Sequence, residues 1–194
     1  AGTLVSIINI PMSSINETMN NFLNSLSGSN AILLGLIVGA MMAVDLGGPI
    51  NKAAYVFGTG ALAATVSTGG SSVMAAVMAA GMVPPLAIFI ATRLFPKKFT
   101  KDQNQAGFTN LILGLSFITE GAIPFASADP IPMLVSFIGG SAVASALVMA
   151  LNIKVLAPHG GIFVIMLVSS PILYLGAILA GSIVSAALIG VLKK

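Results

Sequence analysis

DLGGPINK, residues 45–52, is the stretch whose reading decides the fold. It follows one apolar run, AILLGLIVGAMMAV (31–44), and precedes another, AAYVFGTGALAATV (53–66). An acid, two glycines, a proline, an asparagine and a lysine thus separate two segments that would otherwise read as one buried helix. Glycine and proline interrupt a helix, and the polar side chains then need water, a partner or a ligand. Each flanking run is too short to cross a bilayer comfortably, because a crossing takes roughly 20 apolar residues. The two pieces therefore read as a hairpin that dips in and returns, or as one broken span.

The rest of the chain supports a lipid environment. Of its 194 residues 57% are hydrophobic and 7% charged, and the mean hydropathy is +1.05. A soluble domain carries about 25% charged residues and could not cover its surface with so few. Strand-like alternation is absent, so a transmembrane barrel is not expected. The fold class is all-α integral membrane, a polytopic helical bundle with discontinuous helices or re-entrant hairpins. Length allows four to six crossings or partial crossings.

Residues 1–28 mix apolar residues with Asn and Ser. Met12, Ile15, Met19, Phe22, Leu23 and Leu26 recur at helical spacing, which predicts an amphipathic or interfacial helix with Glu17 on its polar side. This segment is set apart from the membrane part, 29–194. The abrupt start of the chain reads as a truncation. Residues 74–95 predict a full span that Pro84-Pro85 must kink. Residues 107–132 are broken at Thr119-Glu120-Gly121 and at Pro124, and 108–128 is expected to re-enter. Residues 133–151 predict a clean span with small residues for close helix contact. Residues 162–192 exceed one upright span and read either as a helix kinked at Pro171 or as two pieces.

Arg93, Lys97, Lys98 and Lys101 lie in one short stretch, RLFPKKFTKDQNQ, around the loop 96–107, and are half of the eight basic residues. The positive-inside rule places that loop in the cytoplasm, and Lys193-Lys194 put the C-terminus on the same side. A nucleic-acid patch is not supported by any fold signal. The chain has no cysteine, which excludes disulfides, zinc thiolate sites and a cysteine nucleophile within it. With one histidine as well, no metal site and no cofactor is expected.

Two of the five acids, Asp45 and Glu120, interrupt apolar runs. An acid at such depth normally faces a cavity or a partner. Unwound helices with polar tips are how membrane carriers build midplane sites. Simpler readings stand beside this one. Asp45 caps the helix that starts near Pro49, Asn51 satisfies local backbone, and Lys52 snorkels to the headgroups or pairs with Asp45 or Glu120. Glu120 has no basic neighbour in sequence, so its partner lies elsewhere or is a ligand. A carboxylate can accept from two hydroxyls at once, as a sugar or polyol offers, or take a proton from a hydroxyl. Tyr55, Phe57 and Phe125 are candidate stacking residues, with core packing as the plainer role. His159, in LAPHGGI, is either structural or aimed inward by its Pro and Gly neighbours.

MMAVDLGGPINKAAYVFG (41–58), GLSFITEGAIPFASADP (114–130) and APHGGIFV (157–164) together resemble the membrane component, IIC, of the fructose-type bacterial phosphotransferase system. The resemblance covers nearly the whole chain and corresponds to the later, transport part of a IIC domain. It implies a multi-pass protein of the bacterial inner membrane that binds fructose, or a related hexose or polyol, and phosphorylates it during delivery. It implies a phosphocysteine donor on IIB, charged through IIA and HPr, a missing N-terminal part of IIC, and a homodimer. It makes Glu120 the sugar-binding and catalytic acid, with Asp45, Asn51 and Lys52 lining or bracing the site and His159 a further substrate contact. The residues alone leave two rivals open: an ion-coupled carrier in which Asp45 and Glu120 bind protons or sodium, and a structural subunit beside a transporter.

Overall fold

The computed structural model describes residues 30–193. The amphipathic helix expected over residues 1–28 lies outside them. The described residues form seven α-helices: α1 Ala31–Val44, α2 Pro49–Thr65, α3 Ser72–Leu94, α4 Lys101–Leu115, α5 Ile123–Ala128, α6 Pro130–Ala150 and α7 Pro171–Leu192. Short 3-10 turns cover Val66–Thr68, Pro96–Lys98, Thr119–Ala122 and Gly161–Leu167. Residues 162–192 are thus two pieces, with Pro171 starting α7 where its missing N–H costs nothing.

Among the described residues, α3, α6 and α7 are long and apolar enough to cross a membrane. A helix of 23 residues such as α3 is about 35 Å long, enough for a hydrocarbon core of about 30 Å. Helices α3 and α7 run parallel and α6 runs against both. At one end Ser71 exchanges backbone hydrogen bonds of 3.0 and 3.2 Å with Val155, and the Tyr174 hydroxyl donates to the Ala75 carbonyl at 3.3 Å. At the other end the Lys98 ammonium donates to the Lys193 carbonyl, and Lys193 pairs with Asp129 at 3.1 Å. The basic loop and the last described lysine therefore share one end, as the charge pattern predicts.

The four shorter helices form two re-entrant hairpins that enter from opposite ends. Helix α1 starts at the Ser71 end, where Gly35 lies against Ala146, and descends antiparallel to α6. It stops at mid-depth, and α2 returns to the same end, where Gly70 donates to the Thr65 carbonyl. Helix α4 starts at the Lys98 end and runs to Leu115. The chain reverses at Phe117 and comes back through Thr119–Ala122 and α5 to Asp129. The Phe99 and Phe125 rings, 6.3 Å apart, close this hairpin at its base.

Lipid supplies no hydrophobic drive between helices, so close approach has to hold them. Gly140 of α6 and Gly181 of α7 stand back to back, and a Cβ on Gly181 would lie 2.7 Å from that of Ala144. The outer face of α7, including Ile172, Leu179, Ile183 and Val191, is exposed and apolar, as a lipid-facing surface should be.

The two prolines of α3 do not end the helix, which continues through both. Each removes an N–H that would bond four residues back, leaving the carbonyls of Ala80 and Gly81 free. Both are re-bonded from other elements. The Ser141 hydroxyl of α6 donates to Ala80 at 2.9 Å, and the Thr119 hydroxyl donates to Gly81 at 2.8 Å. Such rescue by neighbouring hydroxyls is what makes proline tolerable at membrane depth.

Candidate functional site

The first hairpin tip is built around Asp45. Its two carboxylate oxygens accept from the amides of Ile50 at 2.7 Å and Asn51 at 3.0 Å. These are among the amides that the first turn of α2 leaves without intrahelical partners. The backbone can close this loop because Leu46 and Gly47 take positive φ, +47° and +106°. Asn51 ties the tip back to α1, its amide donating to the Met42 carbonyl at 2.5 Å. Capping, the plainer role for Asp45, is therefore observed, and Asn51 satisfies local backbone as well.

Removing that cap has a definite cost. Asp45→Ala is expected to destabilise the protein by about 1–2 kcal/mol, the range for losing a capping side chain. Thermal unfolding of the full-length protein in detergent measures it. An unchanged midpoint would remove the bracing role from Asp45.

The second tip ends α4 by a recognisable device. The Ile118 amide bonds the Leu113 carbonyl at 2.9 Å, and the Phe117 amide bonds that of Gly114 at 3.1 Å. This double bond pattern normally carries glycine at its left-handed position. Here the residue is Phe117, with φ +62°. A bulky residue held in that region is strained.

The tips meet at mid-depth, against the middle of α3. Gly47 of the first tip touches Glu120 of the second so closely that a Cβ would lie 2.6 Å from Oε1. Lys52 Nζ stands 3.6 Å from Glu120 Oε1. A third element reaches the same place: the connection between α6 and α7, where Gly160 and Gly161 take positive φ and bring His159 in. The His159 ring lies 4.8 Å from that of Phe117 and 6.4 Å from that of Tyr55.

Between these elements is a hollow of about 330 Å³ lined by Met42, Asn51, Lys52, Tyr55, Phe117, Thr119, Glu120 and His159. The structure brings together four of the five site residues singled out from sequence. Asp45 is not among the lining residues and stands behind the loop. Of the three aromatic candidates Tyr55 lines the hollow, whereas Phe57 and Phe125 are buried in the apolar core. Met42, Phe117 and Thr119 were missed. Thr119 adjoins Glu120, and that adjacency was the available signal; nothing local marks Phe117 as a lining residue. A second hollow of about 300 Å³, between α3, α4 and α7, is almost wholly apolar, with Ser182 its one polar side chain. It offers no comparable chemistry.

The two acids differ in what remains free. Asp45 has both oxygens engaged by amides. Glu120 accepts no hydrogen bond from another described residue, and its charged neighbour is the half-exposed Lys52. The site thus presents an acceptor with open lone pairs, an ammonium, an imidazole and two aromatic rings.

Comparison with known proteins places the chain in a family. The family model described as Phosphotransferase system, EIIC matches residues 1–141. A fructose-specific EIIB'BC component of Haemophilus influenzae is 49% identical over 99% of the chain, which covers 34% of that relative. A fructose-specific EIIC component of Haloferax volcanii is 46% identical over 98% of the chain, which covers 50% of it. A fructose permease IIC component of Bacillus amyloliquefaciens is 45% identical over 97% of the chain, which covers 60% of it. The chain thus spans between about a third and three fifths of the length of these relatives. No solved structure matches it.

Proposed function

The chain belongs to the phosphotransferase system EIIC family, and on that premise we propose that it forms the sugar-binding membrane part of a fructose permease that phosphorylates its substrate during delivery. The observation that carries this reading is Glu120, held where two hairpins meet, with its carboxylate open to the hollow. A volume of about 330 Å³ falls in the range of about 300–1,000 Å³ usual for small-molecule sites. The names of the relatives support fructose as the sugar.

In this reading the Glu120 carboxylate accepts from one or two sugar hydroxyls, and Asn51 and His159 present further polar atoms. Tyr55 and Phe117 offer apolar faces to the sugar ring. Asp45 keeps the first tip closed behind them. The phosphoryl donor lies outside these residues, since the 194 residues contain no cysteine. It is a phosphocysteine on IIB, charged in turn through IIA and HPr. The attacking sugar hydroxyl loses its proton to Glu120 while its oxygen bonds to phosphorus. The sulfur–phosphorus bond breaks and the cysteine leaves as thiolate. Lys52 offsets negative charge near the reacting oxygen, and positioning does most of the work in such transfers. Residues 29–194 act as the transport part, within a homodimer. The Lys98 end faces the cytoplasm, where IIB approaches.

The test uses the full-length permease in membrane vesicles with phosphorylated IIB and labelled fructose. The account predicts fructose phosphate as the delivered product. Uptake of unmodified fructose driven by a proton or sodium gradient would sink it in favour of an ion-coupled carrier.

A further inference from the structure

Pro84 and Pro85 free two adjacent carbonyls in the middle of α3, and the two bonds that answer them lead to different places. The Ala80 carbonyl is taken by Ser141, on a neighbouring spanning helix. The Gly81 carbonyl is taken by Thr119, the residue next to Glu120. Thr119 is buried at 4% exposure, so water does not replace this bond easily. The approach depends on Gly81 itself, since a Cβ there would lie 2.8 Å from the Thr119 hydroxyl oxygen.

The segment that carries Glu120 needs such an anchor. It is a four-residue 3-10 turn, Thr119–Ala122, without a side-chain cap. On one side is the strained reversal at Phe117, and on the other is α5, which is six residues long. Neither neighbour is a long rigid helix. The Thr119 hydroxyl is the bond that fastens this turn to a spanning helix at the depth of the site.

We propose that Thr119 is a positioning residue for Glu120. Its hydroxyl, fastened to the carbonyl that Pro85 leaves free, sets where the Glu120 carboxylate stands against the substrate. The tandem prolines thereby serve the site and are more than a tolerated break: they create the acceptor that the tip requires. This inference rests on the reading of Glu120 given above, and the experiment separates the two.

Five variants of the full-length permease are assayed with phosphorylated IIB for kcat, KM and thermal midpoint. Thr119→Val keeps the shape and removes the hydroxyl. It is expected to lower kcat by about 10- to 100-fold, the scale of a misplaced catalytic group, with KM changed far less. Thr119→Ser restores the hydroxyl and should recover wild-type kcat. Ser141→Ala removes the sister bond, and should lower the midpoint while leaving kcat unchanged. The decisive variant is Thr119→Val combined with Pro85→Ala, compared with Pro85→Ala alone. The alanine amide can now satisfy the Gly81 carbonyl within α3, so stability should return while kcat stays low. Recovery of both would show that Thr119 only satisfies a buried carbonyl, and would overturn the proposal. So would wild-type kcat in Thr119→Val, or an equal loss of kcat in Ser141→Ala. A Glu120→Gln variant run alongside separates the two readings. Should it be inactive while Thr119→Val is not, only the positioning role fails; should it be fully active, the site reading itself fails.

Discussion

Glu120→Gln in the full-length permease is expected to lower sugar phosphorylation by about 10²- to 10⁴-fold, the usual contribution of a positioned proton acceptor. The substitution keeps the size and planarity of the side chain, so the contact with Gly47 is preserved. What it removes is the negative charge and the ability to take a proton. Stability should hardly move. The ion pair with Lys52 is 3.6 Å long and its partners are 62% and 47% exposed, so solvent screens most of its worth. Phosphorylation of labelled fructose gives the first readout and the thermal midpoint in detergent the second. Wild-type turnover would remove Glu120 from the chemistry, whereas a collapsed midpoint would mean the residue was holding the fold.

Gly47→Ala is expected to be nearly as damaging by a different route. Gly47 has φ +106°, a conformation that side chains rarely adopt. An alanine there is strained whatever space surrounds it, at about 1–3 kcal/mol. There is also no space: its Cβ would lie 2.6 Å from Glu120 Oε1. The two hairpin tips would have to part, or Glu120 would have to turn away from the hollow. Sugar affinity should therefore fall together with stability. Gly48→Ala is the informative comparison. Its φ of −76° is ordinary, but its Cβ would press on the Asp45 carboxylate, 2.5 Å from Oδ2. That variant should lose stability through the cap and disturb Glu120 less. Equal sugar binding in Gly47→Ala and the parent would contradict the contact between the tips.

Much of this architecture was legible in the residues because breaks in apolar runs are chemically loud. Val44 ends α1 and Pro49 begins α2 where the glycines and proline stand, and the run 108–128 re-enters as its interruption at 119–124 implies. The close packing of α6 also follows from its small residues. The site was legible less evenly. Asp45 and Glu120 look alike in sequence, each an acid followed by glycine and then proline. They part company because Asp45 lies five and six residues before the amides of Ile50 and Asn51, within reach of the start of α2. Among the described residues no comparable pair of amides turns toward Glu120.

Other features could not be read locally. Phe117 occupies a left-handed position that favours glycine, so its residue type pointed away from the turn it makes. The prolines of α3 marked a break in its hydrogen bonding, but the hydroxyls at positions 119 and 141 that answer the freed carbonyls were not foreseen. Those partners are distant in sequence and only the fold brings them near. Phe57 and Phe125 read as possible stacking residues, yet both turn into the core, which is the commoner fate of a phenylalanine beside an apolar run.

The central claim is that two interrupted hairpins, arriving from opposite ends, present Glu120 to a sugar at their junction. A cryo-electron microscopy structure of the full-length permease with bound fructose tests this most directly. The account predicts the sugar in the hollow between Tyr55, Phe117 and His159, with at least one hydroxyl in hydrogen-bond contact with the Glu120 carboxylate. Fructose bound elsewhere, with Glu120 still paired to Lys52 and no hydroxyl beside it, would contradict it.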